Sequence, residues 1–169
     1  MNSIAQAVID KLGLEPHPNE GGYFVETYRS KERIPADGLP DRYEGERNFS
    51  TAIYYLLTPD TFSEFHRLPT DEIFHFYAGD PVTQVHLRPS GEMAMFTLGP
   101  NVLEGEIPQL VVPAGVWQGS FLNPGGQYAL LGATVAPGFD FEDYESGPRN
   151  LLLSQFPALE EFILKLTHP

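Results

Sequence analysis

His66 is followed six residues later by Glu72, Glu72 seven residues later by Gly79, and some forty residues on stands Pro113-Ala114-Gly115-Val116-Trp117-Gln118. An imidazole and a carboxylate this close in sequence can do three different things. With the amide oxygen of Gln118 as a weaker, harder donor they could hold a divalent transition metal, since three protein ligands plus water suffice at a catalytic site. Without a metal, the carboxylate would raise the basicity of the imidazole and fix its tautomer, making His66 a polar handle for a ligand and a general base. In the blandest case the two satisfy each other at a polar rim and do no chemistry. The metal-free pocket is the favoured reading, with His66 and Glu72 as the candidate catalytic pair.

The elements that must position these groups are short strands. Tyr23-Phe24-Val25-Glu26-Thr27-Tyr28-Arg29 is aromatic and β-branched behind a glycine pair, and residues 30–48 read as a loop. Strands are then expected near Ser50–Leu57, Phe62–His66, Ile73–Tyr77, Thr83–Arg88, Met93–Leu98, Gln109–Val112, Val116–Leu122 and Gln127–Val135. Turn signals separate them, among them Thr58-Pro59-Asp60, Pro89-Ser90-Gly91 and Asn123-Pro124-Gly125-Gly126. Many short strands with no helical period between them point to an antiparallel sandwich or barrel. At the ends, Ile4, Ala5, Val8, Ile9 and Leu12 fall at helical spacing before Gly13, and Leu159, Phe162, Ile163 and Leu166 form one stripe after Pro157. Residues 1–169 are therefore read as a single domain: a helix over 1–13, a barrel over about 20–137 and a helical tail over 148–167.

Residues two apart on a strand share a face, so Phe62, Glu64 and His66 would point one way, as would Glu72, Phe74 and Phe76. Gln118, Ser120 and Leu122 would share a face opposite Trp117. If those faces line a barrel, Phe74, Phe76, Gln118 and Ser120 join His66 and Glu72 as ligand-binding candidates. The spacing His66-x-Leu68-x₃-Glu72-x₆-Gly79 followed by Pro113-x-Gly115-x-x-Gln118 resembles the metal-binding β-barrels called cupins. Their pattern has histidines where this chain has Leu68 and Gln118. At finer grain, Glu20-Gly21-Gly22-Tyr23, Phe65-His66-Arg67-Leu68, Asp71-Glu72-Ile73-Phe74-His75-Phe76, Val112-Pro113-Ala114-Gly115 and Val135-Ala136-Pro137-Gly138-Phe139 resemble the Cupin-5 branch, a family of unknown function. The resemblance implies a mainly β double-stranded β-helix, the jelly roll, commonly dimeric. It implies no particular reaction, since one fold hosts many.

The remaining candidates read as structural. His75 alternates away from Glu72, and His86 shares a face with Val82, Gln84 and Arg88; both are expected to be ordinary surface or interface histidines. His17 lies in the constrained Pro16-His17-Pro18 and His168 in the tail, and neither is expected in a site. Glu20-Gly21-Gly22-Tyr23 reads first as a turn, with a pocket wall bearing Tyr23 or Phe24 as the alternative. Trp117 is expected in a core or interface, and Arg67 away from the cavity.

Composition narrows the function classes. There are no cysteines, which excludes disulfides and catalytic thiols, and the formal net charge of -13 argues against binding nucleic acid. No stretch approaches the ~18 apolar residues of a membrane span, and the start lacks the marks of a signal peptide, so no membrane partner and a cytoplasmic location are expected. The function expected is binding of a small molecule held by His66, Glu72 and Gln118. The alternatives are an isomerase or epimerase on a carbohydrate-type substrate, with His66 as base and Tyr23 or Tyr54 returning a proton; a metal-dependent cupin enzyme; and a scaffold without a ligand. A homodimer is expected, with the strand Tyr23–Arg29 and outward aromatics at its interface.

Overall fold

The structure, a computed structural model, describes residues 3–168. In chain order its elements are α1 (Ser3–Leu12), β1 (Glu15–Pro16), β2 (Tyr23–Arg29), β3 (Arg33–Ile34), β4 (Arg47–Asn48), β5 (Thr51–Leu57), β6 (Phe62–Arg67), β7 (Glu72–Gly79) and β8 (Val82–Leu87). There follow β9 (Met93–Leu98), β10 (Gln109–Val112), β11 (Trp117–Leu122), β12 (Ala129–Val135), β13 (Glu145–Ser146), α2 (Arg149–Gln155) and α3 (Glu160–Lys165). The strands from β5 to β12 lie within a residue or two of their expected places. Three short additions were not expected: the β3–β4 ladder within residues 30–48, and β1 and β13, which extend the sheets beyond 20–137. The tail is helical as two segments, separated at Phe156 by Pro157.

A six-stranded sheet in the order β1-β2-β5-β12-β7-β10 faces a five-stranded sheet in the order β13-β6-β11-β8-β9. Period-two alternation sorts their side chains into separate cores. Between the sheets lie Tyr55, Leu57, Phe74, Val82, Leu98, Leu131 and Ala133. On the outside of the smaller sheet Phe65, Val85, Leu87 and Trp117 are covered by Leu152, Phe156, Ile163 and Leu166 of the tail. On the outside of the larger sheet, Leu56 is covered by Ile9 and Leu14. The amphipathic ends are thus lids on outer faces, leaving the interior to the strands.

The β6–β11 register contains a bulge: Gln118 pairs with His66, but Ser120 pairs with Ser63 rather than residue 64. One extra residue on β6 flips the alternation before it. Phe62 therefore packs with the outer cluster under the tail and not beside His66, while Ser63 turns inward.

Candidate functional site

His66, Gln118 and His86 form one row across β6, β11 and β8. All three are almost fully buried, at 2% exposure each. His66 Nδ1 lies 2.8 Å from the carbonyl oxygen of Glu64. A carbonyl can only accept, so Nδ1 carries a hydrogen, and in the neutral tautomer this leaves Nε2 as an acceptor on the cavity wall. The ring stacks on Tyr144, centroids 5.1 Å apart and nearly coplanar in orientation at 18°. Tyr144 in turn donates its hydroxyl to Glu64 Oε1 at 2.9 Å, and Ser146 donates to the same oxygen at 2.7 Å. Burial first, then Glu20 and Glu64, push the Tyr144 phenol far above its ordinary range, so it stays protonated.

Facing His66 is Glu20, delivered by the loop between β1 and β2. Gly21 there has φ +93°, and a Cβ on it would run into the Phe62 carbonyl oxygen. Only glycine lets this loop lie against β6. Glu20 Oε1 accepts from Ser63 at 2.6 Å, and Oε2 sits 3.9 Å from His66 Nε2 and 3.9 Å from His17 Nε2. His17 Nδ1 accepts the backbone N–H of Glu20 at 2.8 Å, so its Nε2 carries the hydrogen. Burial lowers the His17 pKa and holds that ring neutral, outweighing the opposing pull of Glu20.

Glu72, on the opposite sheet, is the perturbed carboxyl. Desolvation by burial raises its pKa to about 7; Glu20 adds to the rise, while His66 and the hydrogen bond from Gln118 oppose it. Gln118 Nε2 donates to Glu72 Oε2 at 2.6 Å, and Gln118 Oε1 accepts from Gln84 Nε2 at 2.8 Å. No hydrogen bond or ion pair joins Glu72 to His66; they meet across a shared cavity. That cavity is walled by Phe24, Phe139, Phe141, Tyr144, Ile53 and Leu68, with Arg29 and Glu26 also lining it. It offers about 60 Å³ of room, several times the ~10–15 Å³ that one water requires.

Comparison with known proteins places the chain in a family. Residues 6–147 match the family model Cupin_5, described as "Cupin superfamily (DUF985)". The chain belongs to the Cupin_5 family. The uncharacterised yeast protein YML079W of Saccharomyces cerevisiae is 38% identical over 151 residues, which is 84% of this chain and 74% of that protein. Protein SO0799 of Shewanella oneidensis has a solved structure similar over 100% of this chain and 99% of its own, at 35% identity and TM-score 0.87. A hypothetical protein from Leishmania major is similar over 98% and 99%, at 31% identity and TM-score 0.87. Oxalate decarboxylase from Bacillus subtilis aligns over 90% of this chain and 37% of its own at 15% identity and TM-score 0.53, a likeness of fold alone. The architecture is thus the cupin jelly roll that the glycine and proline spacing implies. No described helix is long and apolar enough to cross a membrane.

The cupin fold implies a metal, and the donors present here do not fit one. Among the described residues no group of three or more His, Asp and Glu could hold a metal ion. The Gln118 oxygen is engaged by Gln84, His17 presents an N–H rather than a lone pair, and Leu68 lines the wall where the cupin pattern has an imidazole.

Of the sequence-predicted residues of this cupin, the structure brings together His66 and Glu72, with Gln118 directly behind Glu72. Phe74 and Phe76 belong to the core deeper between the sheets, and Ser120 is buried beside Gln84. Tyr23 and Tyr54 pack in the outer cluster under α1, away from the cavity. His75 lies on the outer side as expected, hydrogen-bonded to Thr134 and stacked on Tyr77. His86 is not a surface residue: it is buried against Phe96, and its pKa is lowered to about 4 by desolvation and then Arg88. His17, Glu20 and Tyr144 line the cavity although the sequence reading left them out. The one available signal was His17 and Glu20 held between Pro16, Pro18 and two glycines, a rigid loop carrying two titratable groups.

Proposed function

We propose that this cupin binds a small organic molecule in the mouth of its barrel, with His66 and Glu72 as contact groups and Gln118 fixing Glu72 from behind. The observation that supports this reading is His66 Nε2, an acceptor whose tautomer is set by the Glu64 carbonyl, facing a cavity walled by aromatic rings. A ring nitrogen fixed in orientation on a cavity wall is a ready polar handle for a donor on a ligand. Native mass spectrometry of purified protein, joined to a fragment screen by NMR, tests it. Retained or added ligand mass that disappears in His66→Ala is expected. A fragment screen that shifts no cavity resonance, with a side-chain-filled barrel in a crystal, would sink the reading.

A second reading is supported by the same nitrogen: an isomerase or epimerase in which His66 abstracts a proton next to a carbonyl. Glu72, titrating near 7, is suited to return a proton at neutral pH. Tyr23 and Tyr54 lie too far out for that part. Solvent deuterium entering a carbohydrate-type substrate, and not entering with His66→Ala, is the expected signal. For assembly we propose a homodimer through the free edge of β2 beyond Phe24, where β1 no longer pairs, and the exposed Tyr28 upon it. Gel filtration at micromolar concentration should give twice the 18.8 kDa of the chain, and a monomer peak would overturn the dimer.

A further inference from the structure

We infer that the ligand of this barrel is a small organic cation, a protonated primary amine carried on an apolar or aromatic group. The inference rests on the small-molecule reading above and gives that molecule a charge and a shape.

Glu20 and Glu72 both present carboxyls to the cavity, and His17 beside them is held neutral by burial. The one guanidinium lining it, Arg29, is already spent. Its Nε and Nη2 are bidentate to Glu26 at 2.9 and 2.7 Å, Nη2 also donates to the Phe139 carbonyl, and Nη1 donates to Asn48. Four of the five N–H donors of Arg29 are thus engaged, and an anion would meet the carboxyls of Glu20 and Glu72 in a chain of net charge -13.

The acceptors, by contrast, are unfilled. Glu20 Oε2 and His66 Nε2 stand 3.9 Å apart, too far to bond each other through one hydrogen and close enough for a single donor group to reach both at ~2.9 Å. Glu72 keeps Oε1 free on the same cavity, since Gln118 engages only Oε2. An ammonium has three donors and no acceptor, which matches three acceptors in number and in sign. Next to them the faces and edges of Phe24, Phe141 and Tyr144 offer an apolar wall with the quadrupole that favours a cation.

The test is a series of isosteres, benzylamine, benzyl alcohol and benzoate, titrated into the full chain at neutral pH and followed by NMR and calorimetry. Benzylammonium should bind about tenfold tighter than benzyl alcohol, with benzoate weaker than either. Glu20→Gln keeps an acceptor for Ser63 and should remove most of the amine's advantage over the alcohol. Alcohol or benzoate binding as tightly as the amine overturns the cation and leaves a ligand-binding barrel standing. Failure of all three to bind at millimolar concentration overturns the ligand-binding reading and the cation with it. The wild-type series decides between these outcomes even if Glu20→Gln does not fold.

Discussion

Replacing Glu72 by Gln should make the protein more stable at pH 8 and leave it nearly unchanged at about pH 4.5. The folded pKa of Glu72 is raised from 4.5 to about 7, chiefly by burial. Between those values the native state binds more protons than the unfolded chain, so stability falls as pH rises. Below 4.5 the carboxyl is neutral in both states and costs nothing; above about 7 it is charged in both, and the folded protein bears the full desolvation. At about 1.4 kcal/mol per pH unit, the rise from 4.5 to about 7 is worth about 3 kcal/mol. Gln is isosteric, still accepts from Gln118 and carries no charge, so Glu72→Gln should recover most of that amount, about 6–12 °C in melting temperature for a chain of this size.

The assay must compare variant with wild type at each pH rather than read the wild-type curve alone. His86 works in the opposite direction: burial lowers its pKa from 6.5 to about 4, so stability is lost as pH falls through that range. In the overlap the two slopes oppose each other, and a flat wild-type profile between about pH 4.5 and 6.5 is the expected result. Urea melts of wild type and Glu72→Gln at half-unit pH steps isolate the Glu72 contribution. A difference that does not grow between about pH 5 and 8, or a variant less stable at pH 8, would refute the reasoning, for it would mean that Glu72 is charged at no cost.

Four further outcomes are expected. His86→Phe should stabilise the protein progressively as pH falls below about 6.5, by removing a ring whose Nε2 is buried without a partner; a pH-independent difference in the same melts would contradict this. Gln118→Leu strips the donor from Glu72 and the acceptor from Gln84, and should cost about 1–3 kcal/mol and raise the Glu72 pKa further, read by chemical denaturation and by NMR titration of the carboxyl. Arg47→Ala breaks a buried bidentate pair with Asp143, costing about 3 kcal/mol and raising amide exchange across residues 139–147. Elemental analysis after growth with added transition metals should return well under one metal per chain; one per chain, lost in His66→Ala, would overturn the donor assignment of Gln118.

The framework was legible because turn chemistry and period-two alternation act locally. Gly79-Asp80-Pro81 and Pro113-Ala114-Gly115 bound strands whether or not anything is known of their partners. Alternation placed His66, Glu72 and Gln118 on inward faces for the same reason. It failed at Phe62, because a bulge is a property of the β6–β11 pair and leaves no mark in β6 alone. It also gave the correct face-mates of His86 without saying which face was inside. A polar set such as Gln84, His86 and Arg88 reads as solvent-facing, and only the partner row shows that Gln84 and His86 are interior. The site was half legible. Glu20 reaches Ser63 across 43 residues and Tyr144 reaches Glu64 across 80, contacts made by loops over the barrel mouth that no periodicity predicts.

The pieces that departed from the cupin pattern explain one another energetically. With Leu68 and Gln118 in place of two imidazoles, the interior has lost donors that would secure a metal, yet it has kept Glu72 buried. A buried carboxylate left without a cation must either take up a proton or bear several kcal/mol of desolvation. The pKa near 7 records that balance, because Gln118 supplies a hydrogen bond but no charge. Glu20 sharpens the problem by adding a second carboxyl to the same cavity, and Arg29 cannot relieve it because Glu26 has claimed its guanidinium. Retaining a buried carboxyl at Glu72 in this narrow aromatic cavity costs folding stability that Gln there would restore. Such a cost is what a site kept for its ligand would bear, and the cationic ligand proposed above would offset it.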